Sequence, residues 1–156
     1  MKYPDRLMVF SIEEKRYALG LSSVETVIRA VEITTLPKAP DIVSGIINMH
    51  GRVIAVCDIR KRFGLPQREL GLSDQLIIAH TPKRPVALPV DRVEGVFETG
   101  EQDIVEAGWI LPQAEYVEGV VKLRDGMVLI HDLAGFLSLE EEKALHDALK
   151  ESGQPQ

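Results

Sequence analysis

A chain of 156 residues, 45% hydrophobic and 27% charged, has the make-up of one globular domain or two very small ones, and is too apolar for a disordered segment. Its net charge of −6 argues against nucleic acid and anionic membrane surfaces, which both demand a cationic face. No apolar run approaches the roughly 20 residues that span a bilayer, and the charges at Lys2, Asp5 and Arg6 stand where a signal peptide needs an apolar stretch. The expected compartment is the cytoplasm, where the single Cys57, set in the apolar run Val53–Cys57, is a buried, inert thiol.

Leu7–Ile12 and Arg16–Leu21 predict a first hairpin around Glu13, Glu14 and Lys15. Ser22 or Ser23 is a candidate cap for one helical turn before Val24–Ile28. Val31–Leu36 alternates with period two, as a half-buried strand does, until Pro37 and Pro40 stop it. Ile42–Ile47 leads into Asn48-Met49-His50-Gly51, where Gly51 suits a turn. Val53–Ile59 is apolar on both faces, the mark of a central strand. Arg60–Phe63 predicts a helical turn ended by Gly64, and Gln67–Ser73 reads as a mobile linker.

Leu76–Ala79 and Pro85–Val90 predict a second hairpin with Lys83 and Arg84 at its solvated tip, followed by a strand over Val93–Phe97. Thr99–Gly108 reads as loop, with Trp109 beyond it more a core plug than a binding anchor. Glu118–Leu123 and Met127–His131 predict a hairpin across Arg124-Asp125-Gly126. Asp132 is placed to cap a helix over Leu133–Leu137. Ser138 and Glu141 form a capping-box pattern for a last helix over 138–152, with Leu145 and Leu149 on one face. Residues 153–156 read as a loose tail.

The two halves repeat. Ala18-Leu19-Gly20-Leu21-Ser22-Ser23-Val24-Glu25 returns as Ala87-Leu88-Pro89-Val90-Asp91-Arg92-Val93-Glu94, and Gly45-Ile46-Ile47 through Asp58-Ile59 returns as Gly119-Val120-Val121 through Asp132-Leu133. Many short strands between Gly and Pro turns predict small barrels or a sandwich. Two repeats make two such units, over about 7–66 and 74–137. Each half alone would be marginal, so they are expected to share a core, with one strand crossing between them.

Signatures of catalysis are missing from the sequence: it has no G-x-S-x-G elbow, phosphate-cradling loop or H-E-x-x-H. His50, His80, His131 and His146 have no partner at metal-ligand spacing, so neither metal nor cofactor is expected. Asp58 and Asp132 occupy matching places after apolar strands. They read either as an acid–base pair or as caps for the turns that follow, and duplication favours the caps. His50 reads as an exposed turn residue, or more sharply as a contact at a groove between the barrels. A small-ligand or enzymatic site in that groove would draw on Asp58 and His131.

The ordered set Phe10-Ser11-Ile12, Tyr17-Ala18-Leu19, Val24–Ile28, Leu36-Pro37, Gly45-Ile46-Ile47-Asn48-x-x-Gly51, Val53–Arg60, Val90-Asp91-Arg92-Val93 and Gly119–Leu137 resembles the CheW-like coupling domain of bacterial chemotaxis, over about 7–137. The resemblance implies a mainly β fold of two five-stranded SH3-like barrels sharing a core, with short helices and a C-terminal helix. It implies a non-enzymatic adaptor linking the cytoplasmic tip of methyl-accepting chemoreceptors to the regulatory domain of a CheA-type histidine kinase, recruited to membrane arrays through its partners. Carried over by position, the kinase face includes Val24, Glu25 and Thr26, and the receptor side His50, Ala87, Leu88 and Val93. The family usually has Arg where this chain has His50, and often Glu at Thr26. Both departures fall where partners are expected, which leaves a divergent coupler of a non-flagellar, pilus-type system as the alternative.

Overall fold

The computed structural model describes residues 4–100, 103–106, 117–123 and 126–153. Trp109 and the Arg124-Asp125 turn lie outside them. Strands β1 (Arg6–Ile12) and β2 (Lys15–Gly20) form the first hairpin. Its turn holds Glu13 and Glu14 at φ of 54° and 66°, the left-handed backbone whose twist matches that of paired strands. Next come β3 (Val24–Arg29), β4 (Val43–Met49), β5 (Arg52–Cys57) and helix α1 (Ile59–Phe63). The second half supplies β6 (Gln75–His80), β7 (Pro85–Val90), β8 (Arg92–Glu98), β9 (Ile104–Glu106), β10 (Val117–Leu123), β11 (Gly126–His131) and helix α2 (Leu139–Glu151).

These strands build two sheets, ordered β8-β1-β2-β11-β10-β9 and β3-β6-β7-β5-β4. The exchange between halves is larger than the single crossing strand expected. The whole β1–β2 hairpin joins the second half's sheet, and the whole β6–β7 hairpin joins the first half's. Each insertion makes one parallel pair, β5 with β7 and β2 with β11. Each sheet is thereby given an interior that its own half could not complete. The sixth strand, β9, lies in the stretch read as loop.

Strict alternation explains why so many strands are apolar on both faces. Leu7 and Val9 of β1 join Val121, Val128 and Ile130 in a cluster inside the six-stranded sheet. Ile54, Val56, Leu76, Ile78 and Ala87 form the matching cluster of the five-stranded sheet. The alternate residues Met8, Phe10, Ala55, Cys57, Ile77 and Leu88 meet in the large core between the sheets. The sheets are two SH3-like units that wrap their own clusters without closing into hydrogen-bonded barrels.

Several local expectations are corrected. Among the described residues, 31–36 make one bridge only, Thr34 with Ile46, through two backbone hydrogen bonds of 2.9 and 2.8 Å. Leu21–Ser23 is a single 3-10 turn with no side-chain cap. Residues 133–137 form a turn: Asp132 Oδ1 accepts from Gly135 N at a long 3.4 Å, while Leu133 and Phe136 are drawn into the core. The 67–73 segment is tied down, since the Arg68 guanidinium grips Asp74 at 2.6 and 2.7 Å and Asp91 at 2.5 Å. Arg84 is not a solvated tip residue. It donates to Glu142 at 2.6 Å and fixes α2 to the β6–β7 turn. The capping box of α2 is present in full, and its Glu141 also accepts from Arg62 at 2.5 Å.

Candidate functional site

Glu25 sits at a bulge near the start of the edge strand β3. Its carboxylate accepts from both Arg52 guanidinium nitrogens, at 2.7 and 3.2 Å, and lies 2.9 Å from His80 Nε2. Arg52 belongs to β5, three strand positions from β3, or about 14 Å across a flat sheet. The contact therefore reports how far the sheet curls. The hydrogen bond from Arg52, then that with His80, hold the Glu25 carboxyl below its ordinary range against the opposing pull of desolvation.

His50 stands on the same rim, two residues before Arg52. It takes φ of 53° and Gly51 takes 86°, a left-handed pair that closes the β4–β5 hairpin in two residues. Asn48 Oδ1 accepts from Gly51 N at 2.8 Å and locks the turn, leaving the His50 side chain exposed. Arg52, two residues on, places a cation on this rim, paired with Glu25. The groups assigned by resemblance to two partners, Val24-Glu25-Thr26 and His50, adjoin at one end of one sheet.

The remaining expected receptor residues part company. Ala87 and Leu88 are 0% exposed in β7, and their side chains belong to the core. Val93 is half-buried on β8, the other sheet's equivalent of β3, and its N–H donates to Gln75 Oε1 at 2.8 Å.

Asp58 and His131 do not converge. Asp58 Oδ1 accepts from Arg60 N at 2.9 Å, capping α1, and lies in a small cavity of about 170 Å³ with Arg60, Arg68 and Asp91. His131 lies at a different cleft of about 560 Å³ between the sheets. Its ring is packed edge-on against Phe63 and Phe136, at 5.2 and 5.1 Å between centroids. Burial lowers its pKa to about 3, and the same physics pushes the Cys57 thiol up to about 12. Among the described residues, no group of three His, Cys, Asp or Glu is placed to hold a metal ion. No helix there is long and apolar enough to cross a membrane.

Sequence reasoning missed a second charged centre. Asp91, between β7 and β8, accepts from Glu13 N at 3.0 Å, Arg68 at 2.5 Å and the buried Arg60, which also binds Glu13. Desolvation pulls the Asp91 carboxyl up, but the Glu13 N–H and the two guanidinium groups outweigh it and the net shift is downward. The signal was the aspartate ending an apolar strand at Val90-Asp91, although nothing local names its partners.

A family model described as the CheW-like domain matches residues 6–141. A solved structure, the scaffolding protein TtCheW from Thermoanaerobacter tengcongensis, superposes with a TM-score of 0.80 at 31% identity, over 89% of this chain and 96% of that one. The chemotaxis protein CheW of Thermotoga maritima is 31% identical over 80% of this chain and 82% of that protein. That of Bacillus subtilis is 27% identical over 92% of this chain and 94% of that protein.

Proposed function

The chain belongs to the CheW-like domain family, and on that premise we propose that it is a non-enzymatic adaptor of chemotaxis signalling that couples methyl-accepting chemoreceptors to a CheA-type histidine kinase. The observation that carries this reading is the match to a solved scaffolding protein over nearly its whole length, in fold and in sequence. Val24, Glu25 and Thr26 form the kinase face on β3, an edge strand open to a partner on one side. His50 and Val93 form the receptor side, with Ala87 and Leu88 supporting it from within the core. The protein works in the cytoplasm and reaches membrane arrays through its receptors.

Calorimetry with the regulatory domain of a CheA-type kinase from the same organism tests the proposal. A saturable complex is expected, weakened by Thr26→Arg. Failure to bind every such kinase of the organism would overturn it. His50→Arg should tighten receptor binding and His50→Ala weaken it, because a forked, permanent cation is the stronger carboxylate donor. Equal affinity in all three would remove His50 from the interface.

A further inference from the structure

The cleft between helix α2 and the β6–β7 turn carries the opposite charge to the molecule around it. The chain is −6 overall, yet Lys83, Lys143 and His146 line this cleft, whose volume is about 560 Å³. Its one lining carboxylate among the described residues, Glu142, is spent on the Arg84 guanidinium, at 2.6 and 2.5 Å. Neither lysine has a side-chain partner among the described residues. The helix sorts its charges to this end. Leu139, Lys143 and His146 follow one another by four and three residues on one stripe, whereas Glu140, Asp147 and Glu151 follow by seven and four on the next. The cationic wall is also held in place. Thr81 Oγ1 accepts from the N–H groups of Lys83 and Arg84 at 3.3 and 3.2 Å, and the Arg84–Glu142 pair fixes that turn to the helix, so little backbone ordering is left for a ligand to impose.

A second observation is not electrostatic. Leu139 borders the same cleft and is 82% exposed. An exposed leucine on its own is ordinary. Beside two unpaired lysines it gives the cleft an apolar anchor point as well as cationic ones. A small inorganic anion would use the lysines and leave Leu139 in water. A membrane surface needs a broad cationic face, which the acidic stripe alongside and the net charge of −6 deny it. A polypeptide whose carboxylates flank an apolar side chain satisfies both features. We propose that this cleft docks an acidic segment of a partner protein, with Lys83 and Lys143 as its counter-charges, His146 as a ring N–H donor and Leu139 packed on the segment's apolar side chain. The cleft shares no residue with the kinase face or the receptor side, so the proposal goes beyond the adaptor reading and stands without it.

The test uses the full chain labelled with nitrogen-15 and the peptide acetyl-Asp-Glu-Leu-Leu-Glu-Asp amide. Its controls are the Asn/Gln isostere, which lacks the charges, and the peptide with serine in place of both leucines. The acidic peptide should shift the amide signals of Lys83, Leu139 and Lys143 saturably, about tenfold more tightly than either control. Lys143→Gln should weaken it about threefold and Leu139→Ala about fivefold. Both side chains are exposed, so neither substitution disturbs the fold. No saturable shift, equal binding of either control, or indifference to Leu139→Ala would each overturn the proposal. So would displacement of the peptide by equimolar inorganic phosphate, or capture of the chain on phosphatidylserine vesicles through Lys83 and Lys143, which would put a simple anion or a membrane in the peptide's place. A chain that binds its kinase yet ignores the peptide refutes the docking cleft and leaves the adaptor reading intact. A chain that takes the peptide but no kinase does the reverse.

Discussion

Glu25 and Arg52 are 27 residues apart and meet as a two-pronged ion pair, at 2.7 and 3.2 Å, across the curl of the five-stranded sheet. The pair joins the edge strand assigned to the kinase to the turn that displays His50. Exposed pairs contribute little to stability once solvent screens them. Arg52→Gln should therefore scarcely move the midpoint of urea unfolding. The Glu25 carboxyl, released from its first and largest stabiliser, should titrate higher, measured by carbon-13 NMR. An unchanged titration would mean that the pair does not form in solution.

Gly45 should not tolerate a side chain. A Cβ there would lie 2.4 Å from the Thr34 carbonyl oxygen and 2.7 Å from Ile33 Cγ2. The carbonyl belongs to the only bridge that holds residues 31–36 to β4. Gly45→Ala should cost about 3 kcal/mol in chemical denaturation, near the top of the range for overpacking. It should also lower the exchange protection of the Ile46 amide, which donates to Thr34.

Asp91 is the knot between the β1–β2 turn, α1 and the 67–73 segment. Asp91→Asn keeps the shape and removes the charge from three donors. Loss of charged hydrogen bonds of this kind costs about 2 kcal/mol. Freed from Asp91, Arg68 keeps Asp74 and the carbonyl of its neighbour Glu69, and cleavage by limited proteolysis should rise near Leu72, which is 97% exposed. Unchanged proteolysis would assign the anchoring to Asp74 alone.

Helix α2 carries its own internal comparison. Leu145 is fully buried in the central core, and Leu145→Ala should cost about 2–5 kcal/mol. Leu139 is 82% exposed, and Leu139→Ala should stay within about 0.5 kcal/mol of the parent. Thermal and urea unfolding of the two variants read this contrast directly.

Much of this was legible in the sequence because it is local. The apolar runs Leu7–Ile12 and Val53–Cys57, the Ser138–Glu141 box and the turn at Gly51 depend on neighbours a few residues away. The hairpin exchange was not legible, and the repeat itself hides it. Ala18 and Ala87 occupy equivalent inner clusters, and Leu19 and Leu88 share the central core, so either hairpin suits either sheet by pattern. The Asp91 centre unites residues from four distant segments, and periodicity carries no trace of such a meeting. The alternation in residues 31–36 was genuine, but Gly45 lets the chain cross β4 so closely that it pairs at one point only.

His131 predicts how the protein responds to mild acid. Its imidazole titrates near 6.5 in the unfolded chain and near 3 in the folded one, because burial disfavours the charged ring. Above pH 6.5 both states are neutral and the group adds no pH dependence. Between pH 6.5 and 3 the unfolded chain binds a proton that the folded chain refuses, so stability falls as pH falls, by about 2 kcal/mol at pH 5. Asp74 and Asp91, both lowered from 3.8, lose their contributions only in stronger acid. Glu118, raised from 4.5, works in the opposite sense and offsets part of the loss as its carboxyl takes a proton. His131→Phe keeps a flat ring against Phe63 and Phe136 and removes the titration. Urea unfolding from pH 7 to 5 should show a slope in the parent that flattens in the variant, and a slope that survives the substitution would place the responsible proton on another group.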